Sequence, residues 1–196
     1  REVLSGECEA TKYVKDAIFD SYERVIFPSM ERETRNYLTD IADEGAIKTF
    51  ALNLKPLLMQ PPVKGNVTLG FDPAYRTGCK LAVVDGTGKV LDTSVVYPTP
   101  PHNKIDEAKA TVKGLIEKYG ITNIAIGNGT ASRESENFIS DLLKEIPQKV
   151  SYMVVSEAGA SVYSASPLGA EEFPDFDVSL RSAVSIARRL QDPLAE

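Results

Sequence analysis

The chain has no tryptophan, a single histidine and only two cysteines, and these shortages exclude whole classes of chemistry. His102 stands alone, and Cys8 and Cys79 lie far apart without a neighbouring histidine, so neither a zinc site nor a disulfide framework is expected. A reducing cytoplasm fits that cysteine usage. No run of about eighteen apolar residues occurs, and no basic-then-apolar leader opens the chain, so neither a membrane span nor a signal peptide is expected. The first residue is Arg1 rather than Met, which suggests a piece of a longer protein. Positive charge is scarce as well. The first sixty residues carry 8 basic and 11 acidic side chains and the remainder 14 and 17, for a net charge of −6. Strong nonspecific phosphate binding needs several clustered Lys or Arg, and no such cluster is present.

What remains is the composition of a soluble globular protein, 42% hydrophobic and 26% charged over 196 residues. That length suits one domain with an appendage or two small domains. Val14, Ile18, Tyr22 and Val25 recur at helical spacing and predict a first helix from about Glu9 to Phe27, ended by Pro28. A second is expected from Ser29 to about Glu44, stopped by Gly45, and a third from Ala46 to Met59, kinked by Pro56. The exposed face of these helices mixes Arg24, Arg32, Arg35 and Lys48 with Glu23, Glu31, Glu33 and Asp43, an ordinary solvated surface. Gln60-Pro-Pro-Val-Lys-Gly65 reads as a linker, which predicts a helical segment over 1–62 and a second domain over 63–196.

The second domain is organised around one strand. Val67, Leu69 and Phe71 alternate with Thr68, Gly70 and Asp72, the period of a half-buried strand, and Pro73 should end it at Asp72. Turns at Arg76-Thr-Gly78 and Asp85-Gly-Thr-Gly88 lead into strands near Leu81–Val84 and Val90–Tyr97, giving an antiparallel meander. The stiff Pro98-Thr-Pro-Pro101 loop and His102, read as an exposed residue, precede an amphipathic helix from Ile105 to Tyr119 closed by Gly120. Asn123–Gly127 reads as a buried parallel strand, followed by Asn128-Gly-Thr-Ala-Ser132, a glycine turn with capping hydroxyls ahead of a helix carrying Phe138, Leu142 and Ile146. Such a loop can offer N–H groups to a phosphate, although most serve only as tight connections. Val150–Val155 is a fifth strand, and right-handed winding would bring Glu157 to the same rim as Asp72. Ala158–Ser166 is rich in small residues that allow close packing, and Pro167 should stop it. A last helix, about Val178–Leu190, has Asp177 at its N-cap position and Arg188 and Arg189 on its outer face.

Gly70-Phe-Asp-Pro-Ala-Tyr-Arg-Thr-Gly78 resembles the YqgF-type domain of the Tex family of bacterial transcription accessory proteins, and Glu31–Asn36 with Gly45–Lys48 is similar to the helical segment ahead of it. The resemblance extends to Arg189-Leu-Gln-Asp-Pro193. It implies an α/β fold, a ribonuclease-H-like mixed five-stranded sheet with flanking helices, preceded by an α-helical segment. It also implies a cytoplasmic protein that binds nucleic acid, RNA in the first place, chiefly through an oligonucleotide-binding barrel elsewhere in the full protein, and that works with the transcription machinery. Arg76, Thr77, Asn128, Gly129, Thr130 and Arg181 become the candidate nucleic-acid contacts.

In active resolvases of this fold three acids on the sheet rim hold two Mg²⁺ ions, which need oxygen ligands. Asp72 and Glu157 match the first two places and are the candidate metal ligands, with Asp177 a candidate third acid. Arg181, near where an aspartate would face the metals, and Pro73 after the first acid depart from the pattern, so a guanidinium in the site is expected to repel cations. The reading is therefore a domain without catalytic activity or cofactor. The alternatives are a Mg-dependent nuclease or Holliday-junction-resolvase-like phosphodiesterase, and an actin-like nucleotide-binding domain, for which no internal repeat is visible. Asp72 is expected to accept hydrogen bonds from free N–H groups of the Tyr75–Gly78 turn, with Arg76 within reach of its charge.

Overall fold

A computed structural model describes residues 9–194, so Cys8 lies outside the described residues. Two compact units divide between Lys55 and Pro56, a few residues ahead of the Gln60–Gly65 stretch. The first unit is almost wholly helical. Helix α1, Thr11–Ser21, runs through a π-helical turn, Tyr22–Ile26, into α2, Phe27–Leu58. The expected stops at Pro28 and Gly45 do not occur. A proline inside a helix loses one hydrogen bond and crowds the preceding turn. Here the turn just before Pro28 is widened, with the Phe27 N–H reaching back to the Tyr22 carbonyl, which takes up the crowding without ending the helix. Gly45 stays helical, and its carbonyl accepts from Thr49 Oγ1 at 3.0 Å. Arg24 and Arg35 pair with Asp20 and Glu31 one turn away on the exposed surface.

The second unit contains the sheet. Its strands are β1 (Thr68–Asp72), β2 (Cys79–Val84), β3 (Val90–Val96), β4 (Asn123–Gly127) and β5 (Ser151–Val155), in the spatial order β3-β2-β1-β4-β5. β1, β2 and β3 form the antiparallel meander, and β4 and β5 add in parallel, giving the mixed five-stranded sheet that the sequence resemblance implies. Helices α3 (Ile105–Tyr119) and α4 (Ser132–Lys144) cover one face, while α5 (Ala158–Ala165), α6 (Pro167–Glu172) and α7 (Val178–Gln191) follow β5. Leu69, Phe71, Leu81, Val83, Ile124 and Ile126 bury against α3 and α4. Ala82, Val84, Ala125 and Val155 bury against α7 and α5.

β1 is thus covered on both faces and not half-buried. Leu69 and Phe71 point into the larger core, and Gly70 lies under α7, where a Cβ would stand 1.9 Å from the Ala183 carbonyl oxygen. The alternation in sequence came from glycine serving as a contact surface, because only a residue without a side chain lets a helix backbone come that close. Gly120 closes α3 in the left-handed conformation. Pro167 does not merely stop α5; it opens α6 as the first helical residue, with Ser166 capping it by accepting from the Gly169 N–H at 3.1 Å. Arg189, assigned from sequence to the outer face of α7, is buried.

Candidate functional site

β1 and β4 end side by side, and β5 delivers the chain just beyond them, so the rim of the sheet collects Asp72, Pro73, the β4–α4 loop and Glu157. Asp72 and Glu157 line one open cleft of about 230 Å³ with Ser161, Ser164, Val178, Ser179 and Ser182. Burial pushes the Asp72 carboxyl up to about 7, and the nearby Glu157 charge pushes the same way; a hydrogen bond from Ser182 and the charge of Lys80 oppose them. Asp72 does not gather the N–H groups of the Tyr75–Gly78 turn. Its neighbours come from across the sheet: Lys80 is its direct partner in the β1–β2 ladder, and Ser182 stands on α7. Arg76 lies out on the exposed loop, and Lys80 is the cation that acts on Asp72.

Asp177 begins α7 but spends its carboxylate on the helix, accepting from the Leu180 N–H at 2.7 Å. It still lies near enough to raise Asp72, as the weakest of the named influences. Arg181 does not occupy the cleft. One residue away from Ser182 on a helix means a turn of about 100°, and its guanidinium instead donates to the carbonyls of Phe173 at 3.0 Å and Ser164 at 3.4 Å. α7 lines the cleft with Val178 and the hydroxyls of Ser179 and Ser182, none of them charged.

The β4–α4 loop is tied to the same cleft. Asn128 Oδ1 accepts from the Glu157 backbone N–H at 3.1 Å. The Glu157 carboxylate lies over Gly127 and Gly129, where added Cβ atoms would meet its oxygens at 2.6 and 1.7 Å. Those glycines make room for an acid. The expected capping hydroxyls are not used, because Ser132 is already inside α4 and the N-cap is Ala131, in the left-handed conformation with no side-chain cap. Thr130 is exposed on this loop. Replacing Gly129 by Ala is expected to swing the flexible Glu157 carboxylate aside at a stability cost below about 1 kcal/mol, and to lower the Asp72 pKa as that charge retreats. Carboxyl NMR titration of Asp72 with a parallel thermal melt checks both halves.

The comparisons with known proteins bear on this rim. The model of the Tex protein YqgF-like domain matches residues 66–191, from just before β1 to the end of α7. The chain belongs to that family. Relatives include the uncharacterized protein YdcI of Bacillus subtilis, 60% identical over all of this chain and 27% of its own length. The transcriptional accessory protein Tex of Neisseria gonorrhoeae is 53% identical over 94% of this chain and 24% of its own. The human S1 RNA-binding domain-containing protein 1 is 44% identical over 96% and 19%. The chain therefore spans about a quarter of the length of the first two relatives.

The donor set of this YqgF-like domain does not suit the two-metal centre that the resemblance to active resolvases would call for. Two carboxylates must be shared between two cations, the third acid is engaged as a helix cap, and the α7 side offers only Val178 and the neutral hydroxyls of Ser179 and Ser182. Among the described residues no group of three His, Cys, Asp or Glu side chains is placed to hold a metal ion. Sequence reasoning missed Lys80 and the four serines. Lys80 becomes visible once the β1–β2 register is counted out from the turn, and Ser161/Ser164 and Ser179/Ser182 each carry a helical i, i+3 spacing toward one side.

Proposed function

We propose that this chain is a nucleic-acid-binding domain, acting on RNA in the first place, that has kept the sheet rim of a ribonuclease-H-like nuclease without its cleavage chemistry. The observation that carries the reading is the uncharged lining that faces Asp72 and Glu157, Ser161 and Ser164 from α5 and Val178, Ser179 and Ser182 from α7, which supplies no charge to hold a second cation. The printed names of the relatives support a setting in transcription and RNA binding for the whole protein. A cytoplasmic location is part of the proposal, supported by the free, buried Cys79 thiol. No helix among the described residues is long and apolar enough to cross a membrane.

Two measurements test it. Incubation with single-stranded RNA, duplex DNA and a four-way DNA junction in Mg²⁺ or Mn²⁺ is expected to leave all three intact. Divalent-dependent cleavage that disappears in both Asp72→Asn and Glu157→Gln would establish the nuclease instead. Binding of single-stranded RNA is expected to be weak and shallow in salt, because the domain lacks a basic cluster; a slope equivalent to five or more phosphate contacts would contradict that.

A further inference from the structure

The β1–β2 loop, residues 73–78, has its carbonyls and its amides committed differently. Ala74 O accepts from Thr99 Oγ1 at 2.7 Å and from Cys79 Sγ at 3.4 Å. Arg76 O accepts from His102 Nε2 at 3.2 Å, so that ring nitrogen carries a proton. Thr77 O accepts from the buried Lys80 ammonium at 2.8 Å. Side chains from β2 and from the β3–α3 connection thus hold three of the loop's carbonyls. The amides have the opposite standing. Tyr75, Arg76 and Thr77 are exposed, and among the described residues no acceptor takes their backbone N–H groups. Nor does any carboxylate pair with the Arg76 guanidinium among those residues. A loop with three carbonyls held from behind and the amides of Tyr75, Arg76 and Thr77 open, crowned by one arginine, is set to receive an anion.

Tyr75 says which anion. The residue is 37% exposed, and its hydroxyl is fixed by donating to Glu134 Oε1 at 3.0 Å. An aromatic face held still beside phosphate donors is the pairing that recognises single-stranded nucleic acid, where an unstacked base lies next to its own phosphate. We propose that the Tyr75–Thr77 loop binds one backbone phosphate of a single strand through its amides and Arg76, with the adjacent base on Tyr75. Thr99, His102 and Lys80 are the positioning residues. This rests on the nucleic-acid reading above and adds to it a site, a strand form and a division of labour.

The test is a titration of the ¹⁵N-labelled chain with a short oligouridylate and, separately, with inorganic phosphate, following the amides of residues 75–77. Both ligands are expected to move these amides, the oligonucleotide at much lower concentration. Arg76→Ala should weaken the oligonucleotide about tenfold and lower its salt slope by about one. Tyr75→Leu should weaken the oligonucleotide and leave phosphate unchanged. Thr99→Val, checked for an intact fold by its other amide signals, should blunt the response to both ligands, since it removes the shorter of the two bonds to the Ala74 carbonyl without touching either.

An oligonucleotide that binds with unchanged affinity to Arg76→Ala and leaves residues 75–77 unmoved would overturn the loop site while the nucleic-acid reading stood. Phosphate moving these amides with no oligonucleotide bound anywhere on the chain would overturn the nucleic-acid reading and this ligand assignment together. Silence of the loop toward both ligands would also overturn the site.

Discussion

Gly70→Ala is expected to destabilise the second unit by about 3 kcal/mol, the upper end of what overpacking a core costs, and to lower its melting temperature by roughly 10 °C. The added methyl would lie 1.9 Å from the Ala183 carbonyl oxygen, 3.0 Å from the Ala183 carbonyl carbon and 3.0 Å from the Ala187 Cβ. None of these is the movable end of a long side chain. Relief requires α7 to lift from β1, and α7 also packs on β2 through Val184 and carries Gln191, whose amide donates to the carbonyls of Asn66 at 2.9 Å and Asp85 at 2.8 Å. Lifting the helix therefore disturbs the Gln191 anchor at its C-terminal end and the cleft at its N-terminal end. The contrast with Gly129→Ala isolates the cause, because there the atom in the way is a carboxylate oxygen that can swing aside. Thermal melts of the two variants side by side check the prediction. Equal, small losses would mean that α7 is not seated on Gly70 as closely as described.

The same glycine explains which parts of the architecture could be read from residues alone. Elements with one buried face announce themselves: α3 keeps Ala108, Val112, Leu115 and Ile116 on one side, and Gly120 marks its end in the left-handed conformation that the sequence suggests. The meander and the two parallel strands were legible for a different reason, as short apolar runs punctuated by glycine turns. Burial of β1 on both faces was not, because Gly70 reads as a gap in a pattern until a helix is known to lie across it. The continuous helix from Phe27 to Leu58 was hidden by Pro28 and Gly45, residues that usually end helices and are accommodated here by a widened turn and by simple continuation.

The cleft follows a similar division. Convergence of Asp72 and Glu157 on one rim follows from strand order and handedness, both of which the sequence implies, and Asp177 is the N-cap that its position suggests. Helix rotation decides the rest. A guanidinium at 181 and a hydroxyl at 182 are neighbours in sequence, yet only the hydroxyl faces Asp72, and the i, i+3 serine spacing that marks that side is a weak signal beside a charged residue. The held carbonyls of the β1–β2 loop were equally hidden, since Thr99 and His102 reach it from beyond β3.

Asp72→Asn is expected to stabilise the domain at pH 8 by about 2–4 kcal/mol, with little or no gain at pH 4. The sign follows from the direction of the shift. Burial first, and Glu157 second, raise the folded carboxyl from 3.8 to about 7. Below about pH 4 folded and unfolded chains both carry the proton, and the group costs nothing. Between there and pH 7 the unfolded chain releases the proton while the folded one retains it, so stability falls; above pH 7 both are ionised and the full cost persists. A shift of about three units corresponds to roughly 4 kcal/mol, and the openness of the cleft to water brings the expected figure below that limit. Asparagine keeps the size and the hydrogen-bonding capacity toward Ser182 but cannot ionise, so it escapes the whole cost. Glu157→Gln removes only the second cause and should recover less. Urea midpoints of wild type and both variants at pH 4.5, 6 and 8 check the order, with Mg²⁺ expected to change none of them. A variant at position 72 that is weaker than wild type at pH 8 would mean that the charged carboxylate holds the rim together, as the sequence alone suggests.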